Sequence, residues 1–156
     1  MSVEPRFLAD SMVGKLARWL RALGYDAAYE RAMADAELVE RAREEGRIIL
    51  TRDRRLLERR RLESGFLVGP DDPMAQLSQV AHAFDLRLDP DRWFRRCLDC
   101  NVPMLPAAAD EVRGRVPAHV LSTQDRFARC PACGRVFWAA THVDGMRRRL
   151  ERALGR

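Results

Sequence analysis

The sequence has no long apolar run. No uninterrupted stretch approaches the roughly 20 residues that a membrane-spanning helix needs, and the first ten residues, MSVEPRFLAD, lack the charged-then-apolar order of a signal peptide. Internal repeats and low-complexity segments are also absent. With 47% apolar and 33% charged residues among 156, the composition is typical of a soluble globular protein. We therefore expect a cytoplasmic protein with no membrane partner.

Lysine is almost missing. Lys15 is the single lysine among 28 basic residues, so nearly every positive charge is an arginine. The formal net charge is +5, and most of it lies in residues 97–156, which carry 10 basic and 6 acidic side chains against 18 and 17 in residues 1–96. The arginine guanidinium makes bidentate hydrogen bonds to phosphate and stacks on bases. This bias suits an RNA partner, although genomic composition explains it equally well.

Cysteine is absent from the first 96 residues. Four cysteines follow in two Cys-x-x-Cys pairs separated by 29 residues: Cys97, Cys100, Cys130 and Cys133. Two such pairs complete a tetrahedral ligand set for Zn²⁺, and four thiolates leave no open position, so the predicted zinc is structural. Gly134 suits the tight turn of the second pair because glycine accepts a left-handed backbone. Residues 136–138 then predict a strand of a small zinc ribbon.

Strand-like and helix-like segments alternate from residue 6 to about residue 85, which predicts an α/β fold with a mostly parallel sheet flanked by helices. The predicted strands lie at 7–9, 25–30, 47–51 and 65–69, and the predicted helices at 12–23, 36–45, 54–63 and 73–84. In the first helix we expect Ser11 as the cap, Met12 on the inner face, and Lys15, Arg18 and Arg21 on the outer face. The periodicity fades over 86–96, so we divide the chain into domains at 1–90 and 91–156.

Aspartates occupy two predicted strand ends. Asp10 follows the first strand, Asp53 follows the third, and Asp35 opens the helix between them. Because parallel strands end at one edge of a sheet, we expect these acids to lie close together. Three carboxylates repel each other, and bound Mg²⁺ or Mn²⁺ relieves the repulsion while keeping waters that can attack a phosphodiester. Helix capping explains the same acids equally well. Thr51 is placed to hydrogen-bond them.

The segment between the cysteine pairs contains three prolines, which predicts loops and short strands over 101–129. Residues 143–156 predict a basic C-terminal helix with Met146, Leu150 and Leu154 on its inner face. We expect His142 to be packed or to face RNA. The helix would present a positive surface made by Arg147, Arg148, Arg149 and Arg152.

Four blocks of the chain resemble the family named after the C-terminal RNase domain of the Mut-seven exonuclease. They are FLADSMVGKLARWLRALGYD, ADAELVERA, RIILTRD and CPACGRVFWAATH, and the resemblance runs from about residue 6 to about residue 150. It implies a PIN-like nuclease domain, then a zinc ribbon, and metal-dependent cleavage of RNA. It also implies that Asp10, Asp35 and Asp53 are the catalytic ligands of Mg²⁺ or Mn²⁺, with Glu37 as a competitor for Asp35.

A PIN nuclease usually presents a fourth acid, for which Glu58 and Asp72 are the candidates here. The leading hypothesis is a metal-dependent ribonuclease in which the ribbon and the tail arginines hold RNA. The alternative is a non-catalytic module that binds RNA or a ribonucleoprotein through a degenerate PIN-like fold.

Overall fold

The computed structural model describes residues 3–60, 62 and 64–155. The strands are Phe7–Ala9 (β1), Ala27–Tyr29 (β2), Ile48–Thr51 (β3), Gly65–Leu67 (β4), Leu105–Ala107 (β5), Phe127–Arg129 (β6) and Val136–Phe137 (β7). The helices are Gly14–Ala22 (α1), Asp35–Glu45 (α2), Arg54–Arg60 (α3), Pro73–Ala83 (α4), Ala109–Val112 (α5), Ala118–Thr123 (α6) and Thr141–Ala153 (α7), with 3₁₀ turns at Ser11–Val13 and Pro90–Arg92. None of these helices is long and apolar enough to cross a bilayer.

The predicted parallel sheet is confirmed. Its four strands lie in the order β2-β1-β3-β4, and every neighbouring pair is parallel. Phe7 on β1 is in register with Ala27 on β2 and with Ile48 on β3. β1 is therefore an inner strand, and all three of its residues are fully buried. All four strands end at the same edge of the sheet.

Helices cover both faces of this sheet. Successive strand residues point to opposite faces: Phe7 lies in the apolar cluster under α1, α4 and α7, whereas Leu8 lies in the cluster under α2 and α3. α7 packs on α4, which packs on α1. From α7, Leu150 is fully buried in the first cluster, and Met146 and Leu154 pack against it, as predicted.

The late part of the chain forms a second, antiparallel sheet in the order β5-β6-β7. Its apolar cluster contains Val112, Val120 and Phe127, with Trp138 packed against them. The short strands predicted over 101–129 are confirmed by β5 and β6. The prediction missed α5 and α6, two short helical segments that each bury a valine in this cluster. The four-cysteine cluster late in the chain fits a zinc ribbon.

Three expectations for the first helix were wrong. Met12 lies in the 3₁₀ turn before α1 and is 64% exposed, since the turn changes the helical phase. The cap of that turn is Asp10, whose side chain accepts the Met12 N–H, and not Ser11. Arg21 is 8% exposed and not on an outer face, because its guanidinium is satisfied by backbone carbonyls, including that of Ala27 at 2.8 Å.

The division into domains at 1–90 and 91–156 stays a prediction. Residues from both sides of that boundary share one apolar cluster, in which Trp93 and Leu150 are buried beside Phe7. The helix predicted over 54–63 includes Arg61 and Glu63, and the predicted basic tail includes Arg156. These three residues lie outside the described residues.

Candidate active site and metal centre

The two Cys-x-x-Cys segments form the same turn. In each, the residue after the second cysteine donates its backbone N–H to the carbonyl of the first, Asn101 to Cys97 and Gly134 to Cys130, both at 2.9 Å. Asn101 and Gly134 also share a left-handed backbone, with φ of 65° and 74°. Gly134 was predicted to do this. Asn101 fills the equivalent position because asparagine tolerates this conformation better than most residues.

These turns bring four sulfurs together. The Sγ atoms of Cys97, Cys100, Cys130 and Cys133 all lie within 4.8 Å of one another, and none is in a disulfide. A hydrogen bond with the Cys133 thiol raises the pKa of Cys100 to about 12. Burial raises the pKa of Cys130, but backbone N–H groups of Cys133 and Ala132 outweigh burial and bring it to about 7. Four cysteine sulfurs at this spacing are the donor set of a structural Zn²⁺ site.

Hydrogen bonds anchor the first cysteine turn to the parallel sheet. The side chain of Asn101 accepts the N–H of Ala27 at 2.9 Å and donates to the carboxylate of Asp26 at 2.7 Å. From α1, Arg21 donates to the carbonyl of Leu98 at 2.8 Å. The sulfur cluster is therefore fixed in position relative to the strands that carry the predicted catalytic acids.

Two of those acids meet at one threonine. Thr51, the last residue of β3, is fully buried, and its hydroxyl donates to the carboxylate of Asp10. The same oxygen accepts the backbone N–H of Asp53 at 2.9 Å. This places Asp10 and Asp53 at neighbouring strand ends, as predicted, and confirms that Thr51 hydrogen-bonds one of the acids.

Both acids also cap local structure. Asp10 accepts the N–H of Met12 at 2.9 Å, and Oδ1 of Asp53 accepts the N–H groups of Arg55 at 2.9 Å and Leu56 at 3.3 Å. Among the described residues, nothing donates a hydrogen bond to Oδ2 of Asp53. A carboxylate has about four lone-pair positions, so capping leaves each acid with room for a further ligand.

The third predicted acid, Asp35, stands at the start of a helix. Asp35 is the exposed first residue of α2, beside exposed Glu37. Within the described residues, the four cysteines form a set whose ligand atoms all lie within 4.8 Å of one another. The three aspartates do not form such a set. Of the candidates for a fourth acid, Glu58 is exposed on α3, and Asp72 caps α4 by accepting the Ala75 N–H at 3.0 Å.

A cationic cleft opens at the carboxyl edge of the sheet. Its volume is about 640 Å³, and Ser11 and Met12, which follow Asp10, contribute to its wall. The acidic lining residue is Asp71, which is ion-paired with Arg52. The basic residues that line it are Lys15, Arg18, Arg31 and Arg52. Such an excess of positive charge attracts the phosphates of a nucleic acid.

Nearly the whole chain matches one known family. The model of the Mut7-C RNAse domain matches residues 5–150. The chain belongs to the Mut7-C RNAse domain family. No curated protein and no solved structure matches it.

In this Mut7-C RNAse domain, the sequence reading did not identify two residues of the cleft. Arg31 follows β2 and Arg52 follows β3, so both lie just past strand ends, as Asp10 does. Their position past a strand end is the sequence signal that could have identified them, as it did Asp10. The family match supports a nuclease-like role and RNA as the substrate or binding partner. The assignment of Asp10, Asp35 and Asp53 stays a prediction.

Proposed function

We propose that this chain is a metal-dependent ribonuclease that hydrolyses RNA phosphodiester bonds at the carboxyl edge of the parallel sheet. The observation that carries the proposal is the pairing of Asp10 and Asp53 through Thr51 beside a cationic cleft. The chain's membership of the Mut7-C RNAse domain family supports it. Under this proposal the domain is PIN-like and cytoplasmic.

The carboxylates of Asp10, Asp53 and Asp35 would hold Mg²⁺ or Mn²⁺, whose oxygen preference suits them. Such an ion, when bound, supplies an acidified water and a clamp on phosphate oxygens. The hydroxyl of Thr51 holds the Asp10 carboxylate in one orientation. Side chains of the cleft then bind the phosphates on either side of the scissile bond, and the zinc ribbon assists in holding the RNA.

The direct test is cleavage of single-stranded RNA by purified protein with added Mn²⁺. We expect Asp53→Asn to abolish metal-dependent cleavage, because the amide loses the charge that the metal needs. Asp89→Asn is the matched control, since Asp89 is likewise a partly exposed aspartate that caps a helical turn, and it does not line the cleft. Equal cleavage by the wild type and Asp53→Asn would show that the site is wrong.

A second function has its own supporting observation. The three aspartates do not come within 4.8 Å as a set, although all three lie in the described part of the chain. This favours a degenerate site in a module that binds RNA or a ribonucleoprotein without cutting it. Salt-sensitive RNA binding with no cleavage in Mg²⁺ or Mn²⁺ would support this alternative, and metal-dependent cleavage would refute it.

A further inference from the structure

A second depression lies between the zinc ribbon and the C-terminal helix. Its volume is about 460 Å³, and it lies between β6 and β7 on one side and α7 on the other. Its aromatic lining residues are Phe94, Phe127, Phe137 and Trp138. We call this depression the ribbon groove. Its size is within the usual range for small-ligand pockets.

Phe137 supplies the aromatic surface that the fold does not use. On β7, Val136 and the following Trp138 both pack against the ribbon's apolar cluster. Because alternate strand residues point to opposite faces, Phe137 faces away from that cluster. It is half-buried, lines the ribbon groove, and belongs to none of the three apolar clusters formed by the described residues.

Positive charge surrounds this aromatic surface. No acid is among the described residues that line the groove, whereas five arginines are: Arg18, Arg96, Arg126, Arg135 and Arg147. Asp99, in the first cysteine turn, pairs with Arg18 at 2.5 Å and also with Arg135. Arg126 is exposed and forms no ion pair within the described part of the chain.

Arg18 connects the groove to the cationic cleft. It lies on α1 and contributes to the walls of both depressions. An RNA strand with a phosphate on Arg18 can thus extend from one depression into the other. Since a duplex keeps its bases stacked inside, only an unpaired strand can place a base in the groove and phosphates in the cleft.

We propose that the ribbon groove binds one unpaired nucleobase of a single-stranded RNA by stacking on Phe137, with the flanking phosphates on Arg126 and Arg18. The proposal rests on the proposed function in taking RNA as the nucleic acid. It adds a strand preference and a second binding site. His142, which is exposed and lines the groove, faces the same base, which is one of its two predicted placements.

The test is equilibrium binding of a short RNA without added Mg²⁺ or Mn²⁺, so that affinity is measured apart from cleavage. The RNA carries 2-aminopurine, whose fluorescence is quenched by stacking, and is compared as a single strand and as a duplex. Phe137→Leu keeps the apolar volume and removes the ring, and Arg126→Gln removes one cation. Leu105→Ala and Arg113→Gln are matched controls, because both residues are exposed on the ribbon and neither lines the groove.

We expect Phe137→Leu to weaken single-strand binding about tenfold, which is the contribution of one stacked base. The same variant should relieve the quenching of 2-aminopurine. Arg126→Gln should weaken binding and reduce its salt dependence, and both controls should behave as the wild type. Zinc content and thermal unfolding of each variant show that the fold is intact.

Unchanged affinity and quenching in Phe137→Leu would overturn the groove site, and so would equal affinity for the duplex. Capture of a protein segment in the groove without RNA binding would overturn it as well. These results are independent of the proposed function, which fails if the wild type cuts no RNA in Mg²⁺ or Mn²⁺ or if Asp53→Asn cuts RNA as well as the wild type. If the wild type cuts no RNA but its binding still depends on Phe137, the proposed ribonuclease is refuted and the proposed groove site stands.

Discussion

The hydroxyl of Thr51 donates a hydrogen bond to the carboxylate of Asp10 across the carboxyl ends of β3 and β1. Thr51 is fully buried, whereas Asp10 is partly exposed. The bond therefore fixes a solvent-accessible acid to the core of the sheet. Because the same hydroxyl oxygen accepts the N–H of Asp53, one side chain sets the positions of two predicted metal ligands.

Thr51→Val should destabilise the protein by about 1–3 kcal/mol. Valine is similar in shape to threonine, but it leaves the part-buried N–H of Asp53 without its acceptor. We also expect a large loss of Mn²⁺-dependent cleavage, because the Asp10 carboxylate is no longer held in place. Thr51→Ser keeps the hydroxyl and is the control for both effects. Urea unfolding and a cleavage assay measure them. Equal behaviour of the valine and serine variants would contradict this role.

Asp26 makes the fold sensitive to acid. Burial alone would raise its pKa, but hydrogen bonds from Arg47, Asn101 and Arg6 outweigh burial and lower the pKa to about 2. A carboxyl with a lowered folded-state pKa stabilises the fold above its unfolded pKa of about 4 and loses that contribution as the pH falls towards 2. The loss is at most about 2 kcal/mol.

We therefore expect the free energy of unfolding of the wild type to fall between pH 4 and pH 2, and the fall to be smaller in Asp26→Asn. The variant should be less stable than the wild type near pH 7, because Arg47 is 7% exposed and loses one of its two carboxylate partners. Asp91→Asn is a suitable control, because Asp91 is exposed and forms no ion pair within the described part of the chain. Parallel pH profiles for Asp26→Asn and the wild type would refute this account.

Removal of zinc should unfold the ribbon selectively. Structural zinc sites supply folding free energy directly, and the ribbon's apolar cluster of Val112, Val116, Val120 and Phe127 is small. We expect one zinc per chain, four thiols protected from alkylation, and faster proteolysis within 101–140 after chelation. Cys130→Ser should lower zinc content and thermal stability. Rapid alkylation of all four thiols in the native protein, with no zinc present, would contradict a zinc site.

The cationic cleft should bind phosphates. Arg31→Gln and Lys15→Gln are each expected to weaken RNA binding similarly across sequences and to reduce the salt slope of log affinity by about 1. Arg43→Gln is the control, since Arg43 is exposed on α2, is paired with Glu40 and does not line the cleft. A salt slope in the two cleft variants equal to that of the control would show that RNA binds elsewhere.

The parallel sheet was predictable because its signal is local. Each strand is a short apolar run, three of the four run into a polar residue, and each is followed by a helix, as in Ile48–Thr51 before α3. The closeness of Asp10 and Asp53 followed from the rule that parallel strands end at one edge. Their link through Thr51 depends further on β3 being the neighbour of β1, which periodicity does not encode.

The errors at Met12 and Ser11 come from the local 3₁₀ turn before α1, whereas others arose where distant segments decide the environment. Arg21 has a helical position that suits solvent, but it is buried because the carbonyl of Leu98, 77 residues later, accepts its hydrogen bond. Asn101 lies next to a cysteine pair. Its side chain also hydrogen-bonds Asp26 and Ala27, and these bonds depend on how the ribbon packs on β2. The ribbon groove likewise exists only because α7 returns to the first sheet.

The central claim, that Asp10 and Asp53 hold a catalytic metal, is tested most directly by anomalous scattering from crystals soaked in Mn²⁺. The account predicts a manganese peak bound by the carboxylates of Asp10 and Asp53 in the wild type, and its loss in Asp10→Asn with the zinc peak at the four cysteines unchanged. Manganese bound only away from these two carboxylates, or bound equally in Asp10→Asn, would contradict it.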